Sequence, residues 1–308
     1  MSTLPPVSIK TIVVATDLSP SADAAVEQAA IFAKRCGAEL WILHVFNDGF
    51  WASIRGIYDS EHWSAIDPVL SARKRLSQQV KDVADRYGIS VTGETRTGRI
   101  ASEIARFIDE CHAHLIVIGK HGENSVGDTF IGGTALKVLK RSHIPVLLVH
   151  RNADSDYSKV LIATDFSECA CKAARYAFGI FSASLHYVVH TYDVAFQGCM
   201  RMAGASDDAI ESYYGNELQN AERKMLEFRL SLAPDESIHV EWMNVRGHPG
   251  VEVITQSEKL DVGLIVIGKR GFVQLEDHLL GSVTQNVLYR TDRNVLLVPE
   301  NLDEYGPS

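Results

Sequence analysis

Apolar residues along this chain keep two rhythms. Short uninterrupted runs, such as LIVI at 115–118 and VLLV at 146–149, alternate with longer stretches in which apolar positions recur every three or four residues. The runs suit strands of a parallel sheet covered on both faces. The spaced stretches suit helices that bury one stripe. In the first half the runs predict strands over 10–16, 38–46, 89–95, 114–119 and 145–150, and the spaced pattern predicts helices over 20–36, 68–87, 99–112 and 133–141. Val26, Ala29, Ala30 and Ala33 form the stripe of the first helix, and Ala174, Ala177, Phe178 and Phe181 form its counterpart in the second half. Strand–helix alternation of this kind builds an open doubly wound α/β sheet. Segments 47–67 and 193–215 break the rhythm and differ between halves, so each predicts an extended loop or helical insert after the second strand.

The chain is written twice. IVVATDLS (12–19) returns as VLIATDFS (160–167), and HLIVIGKHG (114–122) returns as GLIVIGKRG (263–271). A near-constant offset across half the chain marks duplication of a whole domain. The polar, turn-rich RNADSDYS at 151–158 joins a domain over 1–150 to one over 158–300. The expected fold is therefore α/β: two duplicated open doubly wound domains, each with a five-stranded parallel sheet in the order 3-2-1-4-5, flanked by helices.

Charge narrows the set of partners. The net charge is -9, and it is lopsided: residues 1–150 carry 16 basic and 16 acidic side chains, the remainder 14 and 23. An acidic chain without a Lys/Arg cluster is not built for nucleic acid or an anionic membrane, because counterion release needs basic side chains. The N-terminus lacks the charged leader and long apolar stretch of a signal peptide, and no apolar run approaches the roughly 18 residues that span a bilayer. Five scattered cysteines suit a reducing compartment. The expectation is a cytoplasmic protein.

The candidate chemistry lies in the glycines. No GxGxxG follows the first strand of either half, and no GxxxxGK[ST] occurs. Instead Gly268, Gly271 and Gly281-Ser282 follow the fourth strand with the spacing G-x2-G-x9-G-S. Ligands of open α/β sheets lie beyond the carboxyl ends of the strands where the strand order reverses. In the order 3-2-1-4-5, Asp165 after strand 1 and Gly268 after strand 4 face one crevice. Glycine there lets backbone approach a ligand, and the amides of Gly281, Ser282, Val283 and Thr284 open a helix that prefers an anion. Ser282 and Thr284 add hydroxyl donors, while Asp165 suits an amine or a hydroxyl. One crevice thus offers an acceptor at one end and an amide nest at the other, the shape of a nucleotide site. The competing readings are bland: glycines serving only turns and helix starts, Asp17 and Asp165 serving as helix caps, and Lys120, Lys269 and Arg270 as solvated cations. The pair of cysteines in CAC (169–171) reads as packing, and the histidines, His44 and His190 among them, as structural groups with no metal set.

With these motifs in place, both halves resemble universal stress protein domains, and the chain resembles the tandem type over nearly its whole length. The second half carries G-x2-G-x9-G-[ST] without departure, extended by GSVTQNVL (281–288) and matched by ATDFS (163–167) at the first strand. The resemblance implies binding of ATP or a related adenine nucleotide, ADP or AMP. It implies that Ala163 and Asp165 border the base or its sugar, that Thr191 lies near the adenine, and that Gly268, Gly271, Gly281, Ser282, Val283 and Thr284 hold ribose and phosphates. Mg²⁺ would enter with the phosphates. It also implies dimerisation through the last strand, so VLLV at 146–149 and 295–298 would pair the halves internally, with a homodimer of chains and an unidentified protein partner also open.

The first half repeats the arrangement with Asp17, Gly119, Gly122 and Gly132, but Gly133 stands where the family carries a hydroxyl residue, followed by Thr134. One lost donor predicts about five- to tenfold weaker binding, partly offset by Thr134. The leading functional expectation is a nucleotide-binding regulator of the stress response that is not an enzyme. The alternatives are a slow ATP-hydrolysing or phosphoryl-transfer enzyme, and a module for a lipid or other metabolite in the aromatic segment 46–63.

Overall fold

The structure, a computed structural model, describes residues 7–47, 68–120, 131–150, 157–192, 197–270 and 280–302. The chain divides into two compact units. One is Ser8–Ser155 together with Asn301–Ser308; the other is Asp156–Glu300 together with Met1–Val7.

In the first unit the described elements run β1 (Thr11–Thr16), α1 (Pro20–Cys36), β2 (Glu39–Phe46), α2 (Pro68–Tyr87), β3 (Val91–Thr97), α3 (Ile100–Glu110), β4 (Leu115–Gly119), α4 (Gly133–Arg141) and β5 (Val146–Val149). The strands are parallel in the order β3-β2-β1-β4-β5. In the second unit they run β6 (Lys159–Thr164), α5 (Glu168–Ile180), β7 (Leu185–Tyr192), α6 (Gln197–Met202), α7 (Asp207–Leu232), β8 (Val240–Arg246), α8 (Pro249–Lys259), β9 (Leu264–Gly268), α9 (Ser282–Arg290) and β10 (Asn294–Val298). Their order, β8-β7-β6-β9-β10, is the same 3-2-1-4-5.

The reason is visible in burial. Ile12, Val13 and Val14 of β1 and Leu115, Ile116 and Val117 of β4 are all fully buried, as are Leu264, Ile265 and Val266 of β9. Strands apolar on both faces need helices on both faces, and α1 and α5 supply one cover. Their stripes Val26, Ala29, Ala30, Ala33 and Ala174, Ala177, Phe178, Phe181 are all essentially inaccessible. Small residues let each helix lie close to the sheet, while Phe178 and Phe181 each contribute roughly 1.5–3 kcal/mol by burial.

One local expectation shifts. Strand β3 begins at Val91 and runs to Thr97, two residues later than the pattern placed it. Gly88, at φ 65°, closes α2 in the left-handed region, and the chain needs Ser90 before Leu40 can pair with it. The strand itself, VTGETRT, flanks the unit's sheet and is largely polar, so hydrophobicity does not mark its ends. In the segment 193–215 the structure places α6 and the first turns of the 26-residue α7, capped by Ser206. Residues 48–67 lie outside the described residues, as do most of the aromatic side chains considered there.

Candidate functional site

The loop after the first strand of each unit has the same construction. Thr164 Oγ1 accepts from the Phe166 amide at 3.0 Å, Asp165 Oδ1 accepts from the Ser167 amide at 3.0 Å, and Ser167 Oγ accepts from Ala170 N at 3.2 Å to start α5. Thr16, Asp17 and Ser19 repeat it, with Leu18, Ser19 and Ala22 as the donors. The residue between, Leu18 or Phe166, takes φ 63° or 66°. A bulky side chain in the left-handed region is costly, so such a turn persists only where its surroundings hold it. The helix caps are therefore Ser19 and Ser167, and the aspartates tie the loop one step earlier.

At the carboxyl end of the second sheet the strand order reverses between β6 and β9, which are hydrogen-bonded neighbours. A cavity of about 490 Å³ opens there. Ala163, Thr164 and Asp165 line it from β6 and its loop, Ala170 from α5, and Val189, His190 and Thr191 from β7. Pro249 and Val253 of α8, Ile267 and Gly268 of β9, Arg270, and Gly281 to Thr284 at the start of α9 complete the described wall. Of the residues expected from sequence in this half, Ala163, Asp165, Thr191, Gly268, Gly281, Ser282, Val283 and Thr284 all border this one cavity. Gly271 lies outside the described residues.

The lining is mixed in character. α9 begins at Gly281 with no side-chain cap, and its first helical bond runs from Gln285 N to Gly281 O at 2.9 Å. The amides of Ser282, Val283 and Thr284 therefore have no carbonyl within the helix to bond, an arrangement that suits an anion. Asp165 is the one carboxylate of the described lining, and Ala163, Val189, Val253 and Ile267 provide apolar wall.

Three residues are held in ways the sequence does not disclose. Thr284 is buried, and its hydroxyl donates to Gly268 O at 3.0 Å. That proton pins the end of β9 to the start of α9, so Thr284 presents its amide to the cavity while its hydroxyl is engaged. Gly268 packs on α5: a Cβ there would stand 2.8 Å from Cys169 Sγ. Burial raises the Cys169 thiol above its ordinary range, and Sγ donates to Val298 O at 3.6 Å, so helix-terminus activation does not operate there. His190 Nδ1 lies 3.0 Å from Thr164 O, which only accepts, so Nδ1 carries the hydrogen. The ring lies against that of Phe166, centroids 4.1 Å apart and tilted by 37°. Burial, then the charge of Lys224, lowers its pKa, which leaves it neutral near pH 7.

The cations depart from expectation. Lys120 and Lys269 are buried, at 8% and 7% exposure, and are not solvated. Lys269 N donates to Val298 O at 2.8 Å, and Arg270 is the member of this group that reaches the cavity wall.

In the first unit Asp17 follows β1, Gly119 ends the adjacent β4, and Gly132 opens α4, with Gly132 N donating to Lys120 O at 2.8 Å as Gly281 N does to Lys269 O at 3.3 Å. Gly122 lies outside the described residues. This matching helix start fixes the correspondence: Gly133 stands for Ser282, Thr134 for Val283 and Ala135 for Thr284. Thr134 is thus one position away from compensating, and the buried Ala135 lacks the hydroxyl that ties Thr284 to its strand. The departure is two residues deep.

Val189, His190, Pro249, Val253 and Ile267 are walls of the cavity that the sequence did not mark as such. The first two sit beside Thr191, and Pro249 opens α8 in a segment, GHPG, that has only GRIA as its copy. Among the described residues no three of His, Cys, Asp and Glu come together as a metal site needs, and no helix is long and apolar enough to cross a membrane.

The chain is thus a duplicated, doubly wound α/β protein with a ligand-sized crevice at the strand-order switch of its second copy. The model of the universal stress protein family matches residues 8–150 and again 156–299. The chain belongs to that family, as a tandem of two of its domains. It is similar along its length to a universal stress protein of Mycolicibacterium smegmatis, 25% identical over 307 residues, covering 93% of this chain and 96% of the relative. A universal stress protein of Methanocaldococcus jannaschii is 32% identical over 156 residues, 46% of this chain and 94% of its own. Among solved structures, a universal stress protein from Archaeoglobus fulgidus shares the fold with a TM-score of 0.64 at 20% identity, over 94% of this chain and 98% of that one.

Proposed function

We propose that the second unit binds an adenine nucleotide, ATP with ADP and AMP as related ligands, and that the protein regulates a stress response through that binding without dedicated chemistry of its own. One observation carries the reading: a single cavity is lined by a carboxylate after β6, by an uncapped helix N-terminus and by apolar side chains. A flat base suits the apolar wall with Thr191 at its edge, a ribose hydroxyl or exocyclic amine suits Asp165, and phosphates suit the amides of Ser282, Val283 and Thr284 with the Ser282 hydroxyl. Mg²⁺ would be carried by the phosphates. For catalysis a nucleophile and a base must be within reach of each other. Among the described lining residues the one carboxylate is tied to the Ser167 amide, and the imidazole of His190 is tied to Thr164 O.

Nucleotide at about 100 times its dissociation constant would stabilise the unit by about 2.7 kcal/mol, a rise of several degrees in melting temperature. Thermal unfolding of the full chain with ATP, ADP and AMP, alongside mass spectrometry of whatever ligand the purified protein retains, tests this. No shift with any of the three, or retention of a lipid instead, overturns the reading.

A further inference from the structure

Arg270 is the one guanidinium or ammonium among the described residues that line the crevice. Its side chain is 17% exposed, and its Nη1 lies 3.4 Å from Oε2 of Glu300. Glu300 is the last residue of the unit and is held from a second direction, where Lys172 Nζ of α5 donates to its carbonyl oxygen at 2.8 Å. The Arg270–Glu300 contact is longer than the roughly 2.7–2.9 Å of a tight charge-assisted bond, and the Glu300 side chain is 35% exposed. At that length the pair is a loose one. An anion seated at the start of α9 would therefore compete with the carboxylate of Glu300 for Arg270.

We infer that Arg270 reads the number of negative charges on the ligand of this crevice, with Glu300 as an internal competitor that raises the threshold. The inference rests on the proposed nucleotide reading and adds its specificity. An uncharged nucleoside leaves Arg270 on Glu300. A di- or triphosphate offers more charge than one carboxylate and can share it with the helix amides, so it draws the guanidinium away. Lys172 keeps the Glu300 carbonyl, so only the carboxylate is released. The crevice then prefers ATP and ADP to AMP, and AMP to adenosine. The corresponding position of the first half is His121, outside the described residues, so this reader belongs to the second copy.

Calorimetric titration of the full chain with adenosine, AMP, ADP and ATP at one ionic strength tests it. Arg270→Gln is expected to weaken ATP and ADP about tenfold while adenosine changes by less than about twofold. Glu300→Gln removes the competitor and is expected to tighten ATP about threefold, again sparing adenosine. Arg270→Lys, which keeps the charge, should retain most of the preference. An Arg270→Gln protein with wild-type thermal unfolding that loses all four ligands equally overturns the inference, as does a Glu300→Gln protein whose ATP-to-adenosine ratio is unchanged. If Arg270→Gln fails to fold, Glu300→Gln decides alone. A wild-type protein that binds none of the four removes the nucleotide reading as well, an outcome distinct from binding without discrimination.

Discussion

Gly268→Ala adds one methyl group at the end of β9, where there is no room for it. The new carbon would stand 2.8 Å from Cys169 Sγ, 3.2 Å from the Arg270 carbonyl oxygen and 3.3 Å from the Cys169 carbonyl carbon. Ordinary carbon contacts lie at about 3.5–4.0 Å. Two of the three neighbours are backbone and cannot rotate away, and the third belongs to a residue 3% exposed in the first turn of α5. The first turn of α5 must therefore move off the sheet. Overpacking of this kind costs roughly 1–3 kcal/mol, or roughly 2–12 °C in the melting temperature of a unit this size. Urea denaturation of the full chain would compare the wild type, Gly268→Ala, Cys169→Ala and the double variant. Cys169→Ala alone empties a small buried volume and costs about 1 kcal/mol. In the double variant the new methyl moves into the space that the sulfur leaves, so the two costs should sum to at least about 1 kcal/mol more than the measured loss. Strict additivity, or a Gly268→Ala protein as stable as wild type, would refute the steric argument. The result also governs how binding experiments are read: ligand lost from a Gly268 variant reports on folding first. Ser282, exposed at the helix start, is the cleaner probe.

A methyl group on Gly133 would meet nothing within 4 Å, so Gly133→Ser fits, and with Ala135→Thr it rebuilds the hydroxyl pattern of the second copy. Two-site calorimetry should then show the weaker nucleotide site tighten about five- to tenfold, Ser282→Gly should weaken the stronger one by a similar factor, and an unchanged gap between the sites would sink the account of their inequality. His186 is fully buried, edge-on to Phe178 at 4.9 Å, and burial lowers its pKa to about 4. Below about pH 6.5 the unfolded chain takes up a proton that the folded chain refuses, so stability is complete above that pH and falls, by up to about 3 kcal/mol, as pH drops toward 4. His190, whose pKa burial also lowers, contributes with the same sign. Denaturation midpoints of His186→Leu across that window should show a flatter pH slope, and a slope like that of the wild type would refute the assignment.

The repeat, the strand positions and the glycine spacing were legible because they are local properties of the chain. A strand covered on both faces must be apolar at every position, as LIVIG is in β4 and β9, and a helix on such a sheet must bury a stripe, as Ala174, Ala177, Phe178 and Phe181 do. Where a strand flanks its unit's sheet and turns polar, as β3 does, the pattern loses its ends by two residues. The wall of the crevice was not legible. Val189, Val253 and Ile267 look in sequence like any core residue, and only packing of β7, α8 and β9 around the strand-order switch makes them line a cavity. Nor could spacing show that Thr284 donates to Gly268, 16 residues back, that Ala135 and not Thr134 stands in its place, or that Lys120 and Lys269 are buried. Periodicity and glycine act within a few residues, so the elements, their duplication and the place of the glycines after the fourth strand could be read from the chain. The tertiary structure alone decided what each of those positions touches, because a hydrogen bond or a steric overlap between distant residues depends on how the chain has folded around both.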